Sequence, residues 1–174
     1  MEIKTILVPT DFSDFAEHAY NWALGLAANW KAKIVLFHAT PTMSHIAFPE
    51  SVYYPDLARM EGELMTDAEK RVGEFAAKKG TRPVPVETRV TVGEAVWEIC
   101  RMAEKEHADL IIMGSHGRTG LSHIVLGSVA ERVVRHATCP VLVVRLPQRF
   151  VLAITAIPFG SSSFPLDLAR KDTL

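Results

Sequence analysis

The sequence predicts an α/β fold: a doubly wound, mostly parallel sheet of five strands with helices on both faces. Short apolar runs recur along the chain, as expected for strands that are buried on both faces. A segment long enough for a helix separates most of these runs from the next, and such connections require right-handed crossovers. The length of 174 residues favours one main domain. We place that domain at residues 1–145 and treat 146–174 as a C-terminal extension of uncertain structure.

In the first half of the chain, two strands are each followed by a helix. The runs 5–8 and 34–38 are continuous enough in apolar residues to be buried strands. Asp11 or Ser13 can cap the helix that follows the first strand. A longer helix comes after the second strand, and its apolar stripe is expected to lie in the core: Leu57, Met60, Leu64, Ala68, Val72 and Phe75.

The second half continues the same alternation. Valines alternate with other residues over 84–92, a pattern typical of a strand at a sheet edge. Gly93 leads into a helix, and the buried run 110–113 ends at a glycine. A helix over 128–136 and an apolar run over 141–144 complete the predicted five strands.

Composition excludes several classes of function. A formal net charge of -1 gives no excess of Lys and Arg for DNA or RNA. No apolar run approaches the length of a membrane span, and the first residues do not resemble an export signal. Cys100 and Cys139 form neither a disulfide framework nor a paired metal motif, which favours a reducing interior. We therefore expect a cytoplasmic protein.

A glycine-rich segment follows the run 110–113. Ligands of open α/β sheets bind outside the carboxyl ends of the strands, where this segment lies. Glycines let the backbone approach an anion closely, and free N–H groups supply hydrogen-bond donors. Gly127 and Ser128 then open a helix whose N-terminus favours phosphate. The sequence thus predicts a phosphate-binding loop from Gly114 to Ser128.

The spacing of this loop, Gly114-x2-Gly117-x9-Gly127-Ser128, strongly resembles the nucleotide-binding signature of the universal stress protein (UspA-type) family. The general fingerprints GxGxxG and GxxxxGK[ST] do not describe it. Residues 6–13 look like the opening strand and loop of the family, and residues 139–144 like its closing strand. The resemblance extends from about residue 3 to residue 145.

The resemblance implies a Rossmann-like, adenine nucleotide alpha hydrolase-like fold that binds ATP, with Mg2+ or Mn2+ held through the phosphates. It places Pro9 and Asp11 over the base and ribose, and it lets the backbone of Ala39 read the adenine. The implied nucleotide-binding residues are Pro9, Thr10, Asp11, Ala39, Gly114, Ser115, His116, Gly117, Arg118, Thr119, Gly120, Gly127, Ser128, Val129 and Ala130. It also implies a homodimer through the strand Val141–Val144, although the extension is a departure from the family.

The leading hypothesis is a nucleotide-dependent stress-response or signalling module. Any ATP hydrolysis should be slow, because the sequence shows no recognisable base for water and no separate arginine finger. One alternative is a dimeric interaction protein without a nucleotide, and another is a binder of AMP or cyclic AMP. An enzyme of adenylate chemistry is a third, and it would need a second substrate pocket. Histidines near the loop, including His116 and His123, lack the motif of a metal site.

Overall fold

The computed structural model describes residues 2–42, 57–77, 83–117 and 126–146. Within these ranges, strands alternate with helices along the chain. The elements are β1 (Thr5–Pro9), α1 (Asp14–Trp30), β2 (Lys33–Thr40), α2 (Leu57–Ala76), β3 (Val86–Val92), α3 (Ala95–Lys105), β4 (Leu110–Gly114), α4 (Ser128–His136) and β5 (Val141–Val144).

The five strands form one parallel sheet in the order β3-β2-β1-β4-β5. At the centre, Leu7 of β1 pairs with Val35 of β2 and with Ile111 of β4. The predicted α/β fold and the edge position of β3 are confirmed. The chain first builds the sheet from β1 towards β3 and then crosses back to add β4 and β5. The strand order therefore reverses between the neighbouring strands β1 and β4. Open α/β sheets bind ligands at such a point.

Helices cover both faces of the sheet, which explains why the strands are apolar at successive positions. Ile6 and Val8 pack in one buried cluster with residues of α1 and α2. Leu7, Val35 and Phe37 point the other way, into a cluster with residues of α3 and α4. Side chains alternate between the faces of a strand, so β1 and β2 contribute to both clusters.

Helix α1 begins at a side-chain cap. Ser13 has extended backbone angles, and its Oγ accepts a hydrogen bond from the N–H of Ala16 at 3.3 Å. Of the two capping candidates, Ser13 is therefore the N-cap. The helix ends at Lys31, which has a left-handed backbone with φ 58° and donates its N–H to the carbonyl of Ala27.

Residues in the C-terminal half of the α2 stripe lie in the core. Ala68, Val72 and Phe75 are buried, whereas Leu64 is 46% exposed. The prediction is therefore wrong at Leu64, because a helical period fixes which residues share a face but not how far the sheet beneath that face extends. No helix among the residues described above is long and apolar enough to cross a membrane.

Both cysteines are free thiols. Cys100 is buried, Cys139 is partly buried, and burial raises the pKa of each thiol. A raised pKa keeps a thiol protonated and unreactive near neutral pH. Cys100 is thus a small core residue, and Cys139 packs at the margin of the core.

Candidate functional site

A pocket of about 440 Å³ lies at the carboxyl ends of β1, β2 and β4, where the strand order reverses. Its walls come from the turn after β1, the end of β2, the segment after β4, and the N-termini of α3 and α4. The lining residues are Pro9, Thr10, Asp11, Ala16, Phe37, His38, Ala39, Ala95, Ile99, Met113, Gly114, Ser115, His116, Gly117, Gly127, Ser128, Val129 and Ala130.

The turn after β1 fixes the position of a carboxylate in this pocket. Oδ1 of Asp11 accepts hydrogen bonds from the N–H of Ser13 at 3.1 Å and from its hydroxyl at 2.6 Å. The N–H of Thr10 donates to the carbonyl of Phe37 at 2.8 Å, which ties the turn to β2. With Oδ1 engaged in the turn, Oδ2 of Asp11 lies towards Gly117.

Ala39 lies where β2 continues beyond the end of β1. Along β2, the odd-numbered residues bond to β1: Lys33 donates to the carbonyl of Lys4, and Phe37 accepts from Thr10. By this alternation, the N–H and C=O of Ala39 point to the β1 side. The last paired residues of β1 and β2 are Pro9 and Phe37. Ala39 is two residues further along β2, so it lies beyond the last residue of β1 that pairs with β2. Its peptide groups therefore face the pocket.

The side chain of His38, in β2, supports the turn after β1. Its Nδ1 lies 2.7 Å from the carbonyl oxygen of Thr10, and the residue is only 9% exposed. His38 is thus a hydrogen-bonded structural residue. It also lines the pocket, so it helps to shape the cavity that the turn borders.

The segment after β4 is closed at its base by two backbone hydrogen bonds. Ser115 donates its N–H to the carbonyl of Val144 in β5, and Gly127 donates its N–H to the carbonyl of Ser115, each at 2.8 Å. Ser115 is almost completely buried, and its Oγ lies 3.0 Å from Nδ1 of His116. Both ends of the glycine-rich segment are thus held against the sheet.

Each of the three glycines in the motif has a close neighbour. A Cβ at Gly114 would stand 2.9 Å from backbone and side-chain atoms of Phe15, so this glycine lets α1 pack closely on β4. A Cβ at Gly127 would stand 3.2 Å from the carbonyl oxygen of Ser115, in the base of the loop. A Cβ at Gly117 would stand 2.7 Å from Oδ2 of Asp11, inside the pocket.

The N-terminus of α4 presents donors to the pocket. Its N-cap is Gly127, which makes no side-chain capping bond, and residues 128–130 line the cavity. The first N–H groups of a helix have no partner within the helix, and the helix dipole adds partial positive charge there. This end of α4 is suited to bind an anion.

The structure brings together every predicted site residue that it describes, from Pro9 through Ala130. Arg118, Thr119 and Gly120 lie outside the described residues, as does His123. The pocket also has lining residues that the sequence did not indicate: Ala16, Phe37, His38, Ala95, Ile99 and Met113. Most of these are apolar residues of strands and helices, and their only signal in the sequence is that they belong to buried runs.

The described lining contains one carboxylate, that of Asp11. Within the described ranges, no group of three or more His, Cys, Asp or Glu residues could hold a metal ion.

Comparison with known proteins finds the same architecture and related sequences. The model of the universal stress protein family matches residues 2–145. Universal stress protein MJ0531 of Methanocaldococcus jannaschii is 36% identical over 146 residues, which are 84% of each chain.

Two solved structures extend this comparison. The protein MJ0577 superposes with a TM-score of 0.69 at 32% identity, covering 84% of this chain and 99% of its own. A universal stress protein in complex with cAMP gives a TM-score of 0.53 at 26% identity, covering 83% and 98%.

Proposed function

Because the chain belongs to the universal stress protein family, we propose that its pocket binds an adenine nucleotide, with ATP as the ligand. The observation that carries this proposal is that Ala39 lies beyond the last β1–β2 pair and lines a pocket whose opposite wall is the N-terminus of α4. One end of the pocket thus suits a base with a hydrogen-bonding edge, and the other suits phosphate.

The base and ribose would occupy the end of the pocket between β1 and β2. The N–H and C=O of Ala39 offer one donor and one acceptor, which match the acceptor N1 and the donor N6 of adenine. Pro9 and the apolar side chains of Phe37 and Met113 would contact the faces of the base. Asp11, with Oδ1 held in the turn, would accept from a ribose hydroxyl.

The phosphates would lie between the glycine-rich segment and α4. Gly114, Ser115, His116 and Gly117 form one wall, and the N–H groups of residues 128–130 form the other. From the pattern of the sequence, Arg118, Thr119 and Gly120 would also contact the phosphates. Mg2+ or Mn2+ would be held by phosphate oxygens and would neutralise part of their charge.

We propose that the nucleotide acts as a signal rather than as a consumed substrate. Binding would stabilise a homodimer formed through β5, a strand at the open edge of the sheet, and would alter the surface that a partner meets. ATP hydrolysis, where it occurs, would be slow. A cytoplasmic location and the division into a domain at residues 1–145 and a C-terminal extension at 146–174 remain predictions of the sequence.

Thermal unfolding with a panel of nucleotides tests the proposal. ATP with Mg2+ should raise the melting temperature, since a ligand at 100 times its Kd stabilises the folded state by about 2.7 kcal/mol. GTP should have little effect, because the edge of guanine reverses the donor and acceptor that Ala39 would meet. The cAMP complex of a relative favours cyclic AMP as a second candidate, and a larger shift with cAMP or AMP than with ATP would select it.

A further inference from the structure

The turn that carries Asp11 contains a residue with an unfavourable backbone conformation. Phe12 has φ 66°, in the left-handed region where the Cβ of an L-residue is crowded. The N–H of Phe12 donates to Oγ1 of Thr10 at 3.0 Å, a bond made within the turn itself. Left-handed conformations of residues other than glycine persist only where the surrounding structure holds them. The ring of Phe12 makes contacts that can stabilise this backbone conformation.

The ring of Phe12 contacts two aromatic rings and a cation from β2 and α2. The ring of His38 lies 4.5 Å away between centroids, and the ring of Phe75 meets it edge-on at 5.9 Å. The guanidinium carbon of Arg71 stands 4.2 Å from the ring centroid, in a cation–π contact. Arg71 and Phe75 both belong to α2 and are four residues apart, so they lie on the same face of that helix. Helix α2 therefore contacts the turn through the ring of Phe12.

We infer that Phe12 and Arg71 are positioning residues that hold the Asp11 carboxylate where it meets the ribose of the nucleotide. Arg71 is absent from the residues that line the pocket, so it acts through Phe12 rather than by contact. Asp11 and Phe12 are adjacent in the chain, and a rotation of the backbone at Phe12 would move the carboxylate. The inference rests on the proposed nucleotide function. It adds a reason why the pocket would prefer a nucleotide with ribose hydroxyls to one without them.

The experiment measures the Kd of ATP and of 2′,3′-dideoxy-ATP by calorimetry on the full chain, for the unaltered protein, Arg71→Gln and Arg71→Lys. Dideoxy-ATP keeps the base and phosphates but lacks the hydroxyls that Asp11 would bind. Arg71→Gln should weaken ATP about 2- to 5-fold, the effect of losing an exposed cation–π contact, and should leave dideoxy-ATP unchanged. The preference for ribose then falls by the same factor, and Arg71→Lys should restore it because it keeps a cation over the ring.

Two control variants separate this effect from general changes in α2. Asp67→Asn removes the carboxylate that lies 3.9 Å from the Arg71 guanidinium, without removing the cation. Arg59→Gln removes another exposed arginine of the same helix, one paired with Glu63. Both controls should keep the full preference for ribose. Melting temperatures of all variants establish that each is folded.

The possible outcomes distinguish the inference from the proposed function. An unchanged preference in Arg71→Gln, or an equal loss for both ligands, would overturn the inference and leave nucleotide binding intact. Equal binding of ATP and dideoxy-ATP by the unaltered protein would also overturn it, since Asp11 would then not read the ribose. Binding of neither ligand by the unaltered protein would overturn the proposed function itself.

Discussion

Gly117 lies against the carboxylate of Asp11, so closely that a Cβ at residue 117 would stand 2.7 Å from Oδ2. The two residues come from the turns after β4 and β1, on either side of the point where the strand order reverses. The residue proposed to bind the ribose, Asp11, is therefore next to Gly117 in the proposed phosphate-binding loop. A side chain at residue 117 would force the carboxylate to move and would occupy the space of the ligand.

Gly117→Val should weaken nucleotide binding strongly without unfolding the protein. The atom that a Cβ meets is the end of a side chain, which can turn away at small cost to stability. The Kd for ATP should rise at least tenfold, about 1.4 kcal/mol, as measured by calorimetry. Gly25→Ala is the matched control, because a Cβ at Gly25 meets nothing within 4 Å. Unchanged ATP affinity in Gly117→Val would count against a ligand in this pocket.

Gly114→Ala should instead destabilise the fold. A Cβ at Gly114 would stand 2.9 Å from the backbone carbonyl of Phe15, and a backbone cannot turn away as a side chain does. Forcing atoms into a packed core costs about 1–3 kcal/mol. Urea unfolding without nucleotide measures the loss, again with Gly25→Ala as control. A stability equal to that of the unaltered protein would show that α1 shifts freely on β4.

Ser13→Ala should destabilise α1 by about 1 kcal/mol, the usual cost of losing an N-cap. The variant loses the bond from the N–H of Ala16 and the hydroxyl donation to Oδ1 of Asp11. Thr66→Ala is the control, since Thr66 is exposed and its hydroxyl donates to the carbonyl of Gly62 within its own helix. Denaturant unfolding compares the two. An equal effect of both substitutions would argue against Ser13 as the cap.

Asp109 should make stability depend on pH in the acid range. Its Oδ2 accepts from the backbone N–H groups of Lys4 at 2.8 Å and Thr5 at 2.9 Å, and these bonds lower the pKa of the carboxyl. A lowered pKa gives stability that is present above the unfolded pKa, about 3.9, and is lost as the pH falls through the folded value.

The variant Asp109→Asn tests this dependence. It keeps an acceptor oxygen but removes the charge, so it should be less stable than the unaltered protein at pH 7, by about 1 kcal/mol after solvent screening. The difference should shrink as the pH falls below 4. Asp67→Asn, a change at an exposed carboxylate of α2, should show no comparable trend. A difference between Asp109→Asn and the unaltered protein that stays constant from pH 7 to pH 3 would contradict the assignment.

The strands could be predicted because a parallel sheet covered on both faces leaves long apolar runs in the sequence. The apolar run Val141–Val144 and the helix Ser128–His136 coincide with β5 and α4. The position of β3 at an edge followed from the mixed residues at 84–92, since an edge strand is less completely covered. Local patterns of this kind carry enough information to place elements in order.

Features that depend on tertiary distance could not be predicted. The close packing of Gly114 on Phe15 is a reason for glycine that is separate from any ligand, and nothing in the motif distinguishes it from Gly117. The orientation of the Ala39 peptide follows from the register of β2 against β1, which the sequence does not state. Leu64 fits the apolar stripe of α2 and yet is exposed.

Mass spectrometry of small molecules released by denaturing freshly purified, unsupplemented protein tests the central claim most directly. Protein with an adenine nucleotide site should release ATP, or another adenine nucleotide, in amounts comparable to the protein, and Gly117→Val prepared in parallel should release far less. If no nucleotide is released and millimolar ATP with Mg2+ leaves the melting temperature unchanged, the claim is contradicted, and an interaction protein without a nucleotide becomes the better account.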